Sequence, residues 1–390
     1  MPRIAFIHNR FPAGGAERIT IDIASYLSRF EGYQVYVYAS RIADHLMSDA
    51  IRGSLILRRI PTQAIPSRRA AAVEKLIKED KIDILVQVTK AIPGIDKIVA
   101  RTGVKTVVSC HGEPFWQRYA IVYRRQKGYL RKLMWKLYNS RKYADGSLAM
   151  SKAVARTRRE YEGCDAYTVL CSAYKTEVEK IFGIDPSESH IYAIENPEYP
   201  VEPVNYAKEK MVLFCGRFEN WSKRIDRLLR IWANVQHRMP DWKLVLVGDG
   251  EDWERMKKLA EELSLERVSF EGRRNNVADY YMRASVVAMT SQTEGWGLAL
   301  TEGQAHGCIP IAFGCTSGIK EVIGAGQGCG IEVTPFDEDE FAMQLVNIAQ
   351  MNEEERMAIR RNAVERIKKY TPEIISEKWR VLFDKLSMKN

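Results

Sequence analysis

Two cations and two carboxylates, set at the ends of apolar runs, are the residues of this sequence best placed to do chemistry. Arg217 and Lys223 follow the run Met211 to Gly216. Open parallel sheets bind ligands beyond the carboxyl ends of their strands, so cations placed here can neutralise a diphosphate. A solvated basic loop would look the same, since Arg and Lys are common on loops. Farther on, Val286 to Thr290 leads into Ser291-Gln292-Thr293-Glu294-Gly295-Trp296-Gly297-Leu298-Ala299-Leu300-Thr301-Glu302. Gly295 and Gly297 open a helix, so the bare amides of Gly295, Trp296, Gly297 and Leu298 and the positive end of the helix dipole face the strand-end crevice, where they suit a phosphate. Glu294 should lie before that helix and Glu302 about two turns inside it, according to the spacing. Carboxylates so placed accept charge-assisted hydrogen bonds from hydroxyls of a sugar and a ribose. An isolated pair of this kind would read as ordinary acidic residues of a helix.

The first half offers a second set. Pro12-Ala13-Gly14-Gly15-Ala16-Glu17 joins an apolar strand to a helix, and only small residues such as Gly14 and Gly15 let backbone approach a ligand closely there. The spacing is not G-x-G-x-x-G, which disfavours a nicotinamide site, and a structural turn is the alternative. His111-Gly112 directly follows the run Lys105 to Ser109; a lone His is often incidental, but this one stands at a strand end. From Trp116 to Tyr143 there are nine cations, no acid, and seven interleaved Trp and Tyr residues. That composition suits docking on an anionic lipid surface. A solvated helix face and, less well, a nucleic-acid stripe are the other readings.

These residues need elements to position them. Short apolar runs alternate with helical-period segments, the pattern of stacked βα units around parallel sheets. Expected strands are Arg3 to His8, Gln34 to Tyr38, Ser54 to Arg58, Ile84 to Val88 and Lys105 to Ser109, with a weaker pair at Gly146 to Met150 and Tyr167 to Leu170. Three prolines between Pro197 and Pro203 mark a linker, after which a second series runs through Met211 to Gly216, Lys243 to Gly248, Val268 to Glu271, Val286 to Thr290 and Cys308 to Phe313. Thr371-Pro372-Glu373 starts a last helix whose Ile375, Trp379, Leu382, Phe383 and Leu386 share one face that must dock on something. The expected organisation is therefore a first domain over 1–200, a second over 201–370 and a C-terminal helix over 371–390, as 390 residues suggest.

Composition excludes several classes. Seven scattered cysteines without C-x-x-C offer neither a disulfide framework nor a zinc site and suit a reducing compartment. There is no signal-peptide pattern and no apolar run of about 18 residues, so the chain is expected in the cytoplasm. The net charge of +9 is uneven: residues 1–200 hold 32 Lys and Arg against 21 Asp and Glu, the remainder 27 against 29. An anionic partner is thus expected at the first half.

Glu294, seven intervening residues and Glu302, set after Gly216-Arg217, Lys223 and Val247-Gly248-Asp249-Gly250-Glu251, resemble the donor-site signature of the family 4 retaining glycosyltransferases of GT-B fold. The likeness covers nearly the whole chain and is strongest from Met211 to Ile323. It implies an α/β fold of two Rossmann-like, doubly wound parallel-sheet domains facing across a cleft, with the C-terminal helix packing back on the first. It also implies a retaining, metal-independent hexosyltransferase, its donor a nucleotide diphosphate sugar, expectedly UDP-linked, with no further cofactor and no metal site. No Asp-x-Asp accompanies the signature between Met211 and Ile323. The acceptor would be a saccharide or a lipid-linked saccharide of cell-surface polysaccharide or lipopolysaccharide biosynthesis, met at the inner face of the membrane through residues 116–143, with no nucleic-acid partner. A sugar-nucleotide-binding protein of the same fold without transferase activity is the alternative.

Carried over position by position, the resemblance gives Arg217 and Lys223 to the diphosphate and to the charge that develops on it. Glu302 takes the ribose, Glu294 the transferred sugar, His111 a contact to that sugar, and Arg273 a loop passing the base. Asn196 resembles the Asn that closes the first domain, while Ser151 and Ser172 compete for the family's serine. Gly303 departs from the pattern, standing where Ala usually follows the second Glu.

Overall fold

The computed structural model describes the chain apart from Met1, residues 13–14, 31, 63–65, 89–91, 124–146, 325 and 389–390. It forms two compact units. The first comprises Met1–Pro114, Val154–Pro197 and Tyr370–Asn390, the second Phe115–Ala153 and Glu198–Lys369.

In the first unit seven strands form one sheet: β1 (Arg3–Phe11), β2 (Gln34–Ile42), β3 (Ile56–Arg59), β4 (Ile84–Val88), β5 (Lys105–Ser109), β6 (Ala166–Val169) and β7 (Ile191–Ala193). Their order is β3-β2-β1-β4-β5-β6-β7 and every pairing is parallel. All five residues of β4 are buried, as expected of a central strand covered on both faces. One face packs Ala5, Ile7, Tyr36, Tyr38 and Leu85 against Val73 and Ile77 of helix Pro66–Asp80 and Ile95 and Ile98 of helix Ile95–Thr102.

The C-terminal helix Pro372–Ser387 belongs to this unit. Thr371 caps it, its hydroxyl accepting from Ile374 N, and Pro372 occupies the first turn, where a missing N–H costs nothing. Ile375, Trp379, Leu382, Phe383 and Leu386 are all buried. Trp379 and Phe383 meet Phe6 of β1 edge-on, with ring centroids 6.4 and 6.3 Å away. Tyr26 of helix Gly15–Leu27 adds a 3.1 Å hydrogen bond to Glu377.

The second unit holds six parallel strands: β8 (Glu209–Cys215), β9 (Lys243–Val247), β10 (Val268–Gly272), β11 (Ala284–Met289), β12 (Ile309–Phe313) and β13 (Ile331–Val333), in the order β10-β9-β8-β11-β12-β13. Val212, Phe214, Leu246, Val286 and Ile311 pack against Leu228 and Trp232 of helix Ile225–Val235 and Phe341 and Leu345 of helix Glu338–Gln350. In each sheet the order reverses beside the first strand, between β1 and β4 and between β8 and β11. Connections leave these strand ends toward opposite faces, so loop backbone and helix starts gather there.

One expected strand is corrected. Ser147–Met150 opens helix Ser147–Glu162 rather than forming a strand. Leu148-Ala149-Met150 is apolar, but so short a run looks alike in a strand and in a buried helix turn.

Candidate functional site

The second sheet's reversal point carries the densest polar construction. After β8 the chain runs through Gly216-Arg217-Phe218 into helix Asn220–Lys223; Arg224 then takes φ 48°, and helix Ile225–Val235 begins. After β11, Thr290, Ser291, Gln292 and Thr293 are all buried, an unusual fate for four consecutive polar residues. Their partners explain it. Gln292 N donates to Ser222 O at 2.7 Å, Thr290 Oγ1 to Arg224 O at 3.0 Å, and Arg227 Nη2 to Gln292 Oε1 at 2.8 Å. The loop after β11 is thus bound to the loop after β8. Burial pushes the Arg227 guanidinium down to about 10, and it stacks 4.4 Å from the Phe336 ring.

This construction brings Lys223 and Glu294 together in an ion pair, Nζ to Oε2, with each side chain 18% exposed. Ser291 Oγ stands 3.5 Å from the same carboxylate oxygen, and Thr316 Oγ1 donates to Glu294 O at 2.9 Å. Beyond Glu294, Trp296 is buried, and Gly297 caps helix Leu298–Ala305 at φ 80°. A Cβ on Gly297 would lie 2.8 Å from Ile319 Cδ1, so its position requires glycine twice over. Because Gly297 holds the helix back until Leu298, Glu302 is its fifth residue, about one turn in rather than two. Tyr281 OH donates to Glu302 Oε2 at 2.8 Å.

Arg217 and Arg273 do not join this cluster. Arg217 pairs with Glu219 at 2.7 Å and is 72% exposed, and Arg273 is exposed on the loop after β10. The departure at Gly303 has a packing reason: a Cβ there would stand 2.5 Å from Val287 Cγ1, so glycine lets this helix lie close on β11. The chain's Asp-x-Asp, Asp337-Glu338-Asp339, lies elsewhere. Asp337 caps helix Glu338–Gln350 through Glu340 N at 2.8 Å, and Glu338 pairs with Arg230. Among the described residues no group of three His, Cys, Asp or Glu is placed to hold a metal ion.

In the first unit His111 stands just beyond β5. Thr168 donates to Ser109 Oγ at 3.1 Å, Ser109 Oγ is 3.1 Å from His111 Nε2, and His111 Nδ1 is 3.4 Å from Asn196 Oδ1. Since the Asn oxygen only accepts, the chain of donors runs from Thr168 through Ser109 into Nε2, with the ring proton on Nδ1. Burial pushes the imidazole down to about 4, so the ring is neutral at pH 7. Gly15 begins helix Gly15–Leu27 and is exposed; Gly14 lies outside the described residues. Nearby, burial would raise the Glu17 carboxyl, but hydrogen bonding and charge from His8 bring it below its ordinary range. Ser172 opens helix Ser172–Phe182 after β6, whereas Ser151 is inside helix Ser147–Glu162, and both are exposed. All seven cysteines are free thiols. Of the basic stretch 116–143, residues 124–143 lie outside the described residues. No helix among the described residues is long and apolar enough to cross a membrane.

The His111 ring gives a pH prediction. Its folded pKa lies below the unfolded value, so from about pH 6.5 down to about 4 the unfolded chain binds a proton that the folded chain refuses. The folded state therefore holds its full His111 contribution above pH 6.5 and loses on the order of 3 kcal/mol as pH falls to 4. Urea unfolding of His111→Gln and the parent across that window should show the parent's extra slope; parallel curves would reject it.

Parallel β/α units with charge and helix starts at the sheet reversals define a doubly wound α/β class of protein, in which ligands bind beyond the strand ends. Residues 13–197 match the family Glycosyltransferase Family 4, and residues 195–366 match Glycosyl transferases group 1. The chain belongs to the family 4 glycosyltransferases of GT-B fold. It is 27% identical over 82% of its length to 82% of a Haemophilus influenzae protein described as an uncharacterized glycosyltransferase. It is 25% identical, over 97% of both chains, to a Campylobacter jejuni α-1,4-N-acetyl-D-galactosaminyltransferase that acts on an undecaprenol diphosphate-linked saccharide. Its fold matches that of Anabaena HepE in complex with UDP and glucose, at TM-score 0.72 and 17% identity over 99% of this chain and 100% of that one.

Proposed function

We propose that the chain transfers a hexose or N-acetylhexosamine, with retention and without a metal ion, from a UDP-sugar to a saccharide or lipid-linked acceptor in bacterial surface-polysaccharide biosynthesis. The observation that carries this reading is the Lys223–Glu294 pair at the β8/β11 reversal, held by the buried Thr290–Thr293 loop beside the start of helix Leu298–Ala305. An incoming diphosphate would exchange with Glu294 for Lys223, and would meet the amides of Gly295 to Leu298. Glu294, released, would then accept from hydroxyls of the transferred sugar, while Glu302 accepts from the ribose. Arg217, exposed and only loosely committed to Glu219, has the reach of a long side chain that can swing to the phosphates. Arg273 would pass the base.

The acceptor would attack from the face the diphosphate leaves, with a leaving phosphate oxygen taking its proton. The protein then contributes position and fixed charge rather than a nucleophile. In the first unit neutral His111, aimed by Ser109 and Asn196, would meet the sugar, and Gly14 and Gly15 would allow close backbone approach. Support for a lipid-linked acceptor comes from the Campylobacter relative, and for UDP from HepE. A peripheral contact with the inner face of the membrane through residues 116–143 is part of the same proposal and rests on their composition.

The test is a screen of UDP-sugars and GDP-mannose, with and without EDTA, for protection against thermal unfolding and for slow hydrolysis. One UDP-hexose or UDP-N-acetylhexosamine should protect and be hydrolysed at a rate EDTA does not change, and NMR of the first-formed product should show the anomeric configuration kept. Protection without turnover would favour a binding protein instead. No protection by any sugar nucleotide would reject the site.

A further inference from the structure

Glu302 sits on a short helix with one carboxylate oxygen fixed by a residue outside the family signature. Tyr281, on helix Val277–Arg283 before β11, donates its hydroxyl to Glu302 Oε2 at 2.8 Å. Tyr281 is held at both its ring and its main-chain carbonyl. Tyr281 is 1% exposed, and its ring stacks on His306 at 5.5 Å between centroids with a 28° interplanar angle. Lys208 Nζ and Cys308 Sγ both donate to Tyr281 O, each at 3.1 Å. Burial and the adjacent Glu302 carboxylate raise the Tyr281 hydroxyl well above its ordinary range, so it stays a donor at any working pH. Glu302 O in turn lies 2.8 Å from His306 Nδ1, which ties the helix end to the same group.

We infer that Tyr281 is a positioning residue for nucleotide recognition: it orients the Glu302 carboxylate toward a pair of vicinal hydroxyls on the nucleotide's ribose. A carboxylate on a one-turn helical position has rotamers to spare, and a buried donor on one oxygen selects among them. The energy of a hydroxyl-to-carboxylate bond then depends on a phenol that never touches the ligand. This rests on the reading of Glu302 as the ribose acceptor.

The experiment measures binding of UDP and of 2′,3′-dideoxy-UDP to the full chain by calorimetry, for the parent, Tyr281→Phe, Glu302→Gln and the double variant. Phe keeps the ring on His306 and removes only the hydroxyl. The parent should favour the ribose form, and Tyr281→Phe should lose about tenfold of that preference while binding the dideoxy form as the parent does. In the Glu302→Gln background, adding Tyr281→Phe should change the preference no further, because the phenol acts only through the carboxylate. A Tyr281→Phe variant with the parent's full preference overturns the inference while leaving Glu302 as the ribose acceptor. A parent without any preference overturns the role of Glu302 itself. Equal weakening of both nucleotides by Tyr281→Phe would mark a merely structural residue and also overturn it.

Discussion

Replacing Lys223 by Ala is expected to lower the rate of sugar transfer by about 10²- to 10³-fold, the usual consequence of removing one fixed charge from a developing oxyanion, which is the role proposed for it. Glu294→Ala falls as far, because the same residue that pairs with Lys223 is proposed to hold the transferred sugar. The two effects should largely add, because the proposed donor opens the pair and the two residues then act on different parts of it, so the double variant is expected to be slower than either single one. Stability responds much less. Both side chains are 18% exposed, so water compensates the survivor in part, and a loss of about 1 kcal/mol is expected. The anchors of the loop, Gln292 to Ser222 and to Arg227, do not pass through the ion pair and remain. Single-turnover rates on the matched sugar nucleotide, beside circular dichroism of each variant, check both halves. Turnover close to the parent's by either alanine variant removes the proposed site, whatever the fold does.

What the sequence makes legible here, and what it hides, follows sequence distance. Runs such as Ile84–Val88 and Ala284–Met289 are apolar but for one residue each, Gln87 and Ser285, because both faces of a central parallel strand are covered, so the ends of such strands, and with them Lys223, Glu294 and His111, can be placed from sequence. Strands of three residues, Ile191–Ala193 and Ile331–Val333, are too short to show a period and are invisible at that level. The start of helix Leu298–Ala305 is displaced by a left-handed Gly297 that composition alone does not assign a φ. Partners far apart in sequence are hidden altogether. Gln292 and Arg227 stand 65 residues apart, and Tyr281 and Glu302 stand 21 apart. The one clue to the first is four polar residues directly after the apolar run Val286 to Met289, where a solvent loop or a built site must follow. For Tyr281 there is no clue, since an aromatic on a crossover helix packs against a sheet in most such folds. Arg217 shows the reverse failure: its place at the strand end is legible, but not its orientation, because a long exposed side chain takes the nearest carboxylate, here Glu219.

Gly248→Ala should be nearly as damaging to transfer as the loss of Lys223, although its side chain would touch no ligand. Gly248 directly follows β9 at φ 133°, and a Cβ built on it would lie 1.9 Å from Gly216 O and 2.9 Å from the carbonyl carbon. Backbone cannot yield as a flexible side chain can, so the segment Gly216-Arg217-Phe218 must be pushed off. That segment is joined to the β9 loop by Gly216 N to Val247 O at 3.0 Å and by Phe218 N to Asp249 O at 2.8 Å, and both bonds are strained by the same shift. A loss of about 3 kcal/mol in the second unit is expected from the clash and the left-handed φ together. Displacing this segment, proposed to face the phosphates, by about 1 Å should slow transfer by about 10²-fold. Gly272 separates the two causes. It too is left-handed, at φ 70°, but nothing stands within 4 Å of its Cβ position, so Gly272→Ala meets only the backbone term of about 1 kcal/mol and keeps its activity. Urea unfolding and transfer rates of the two variants side by side decide the matter. If Gly248→Ala unfolds and turns over like Gly272→Ala, close packing of the β8 and β9 loops is not what sets the segment Gly216-Arg217-Phe218 in place.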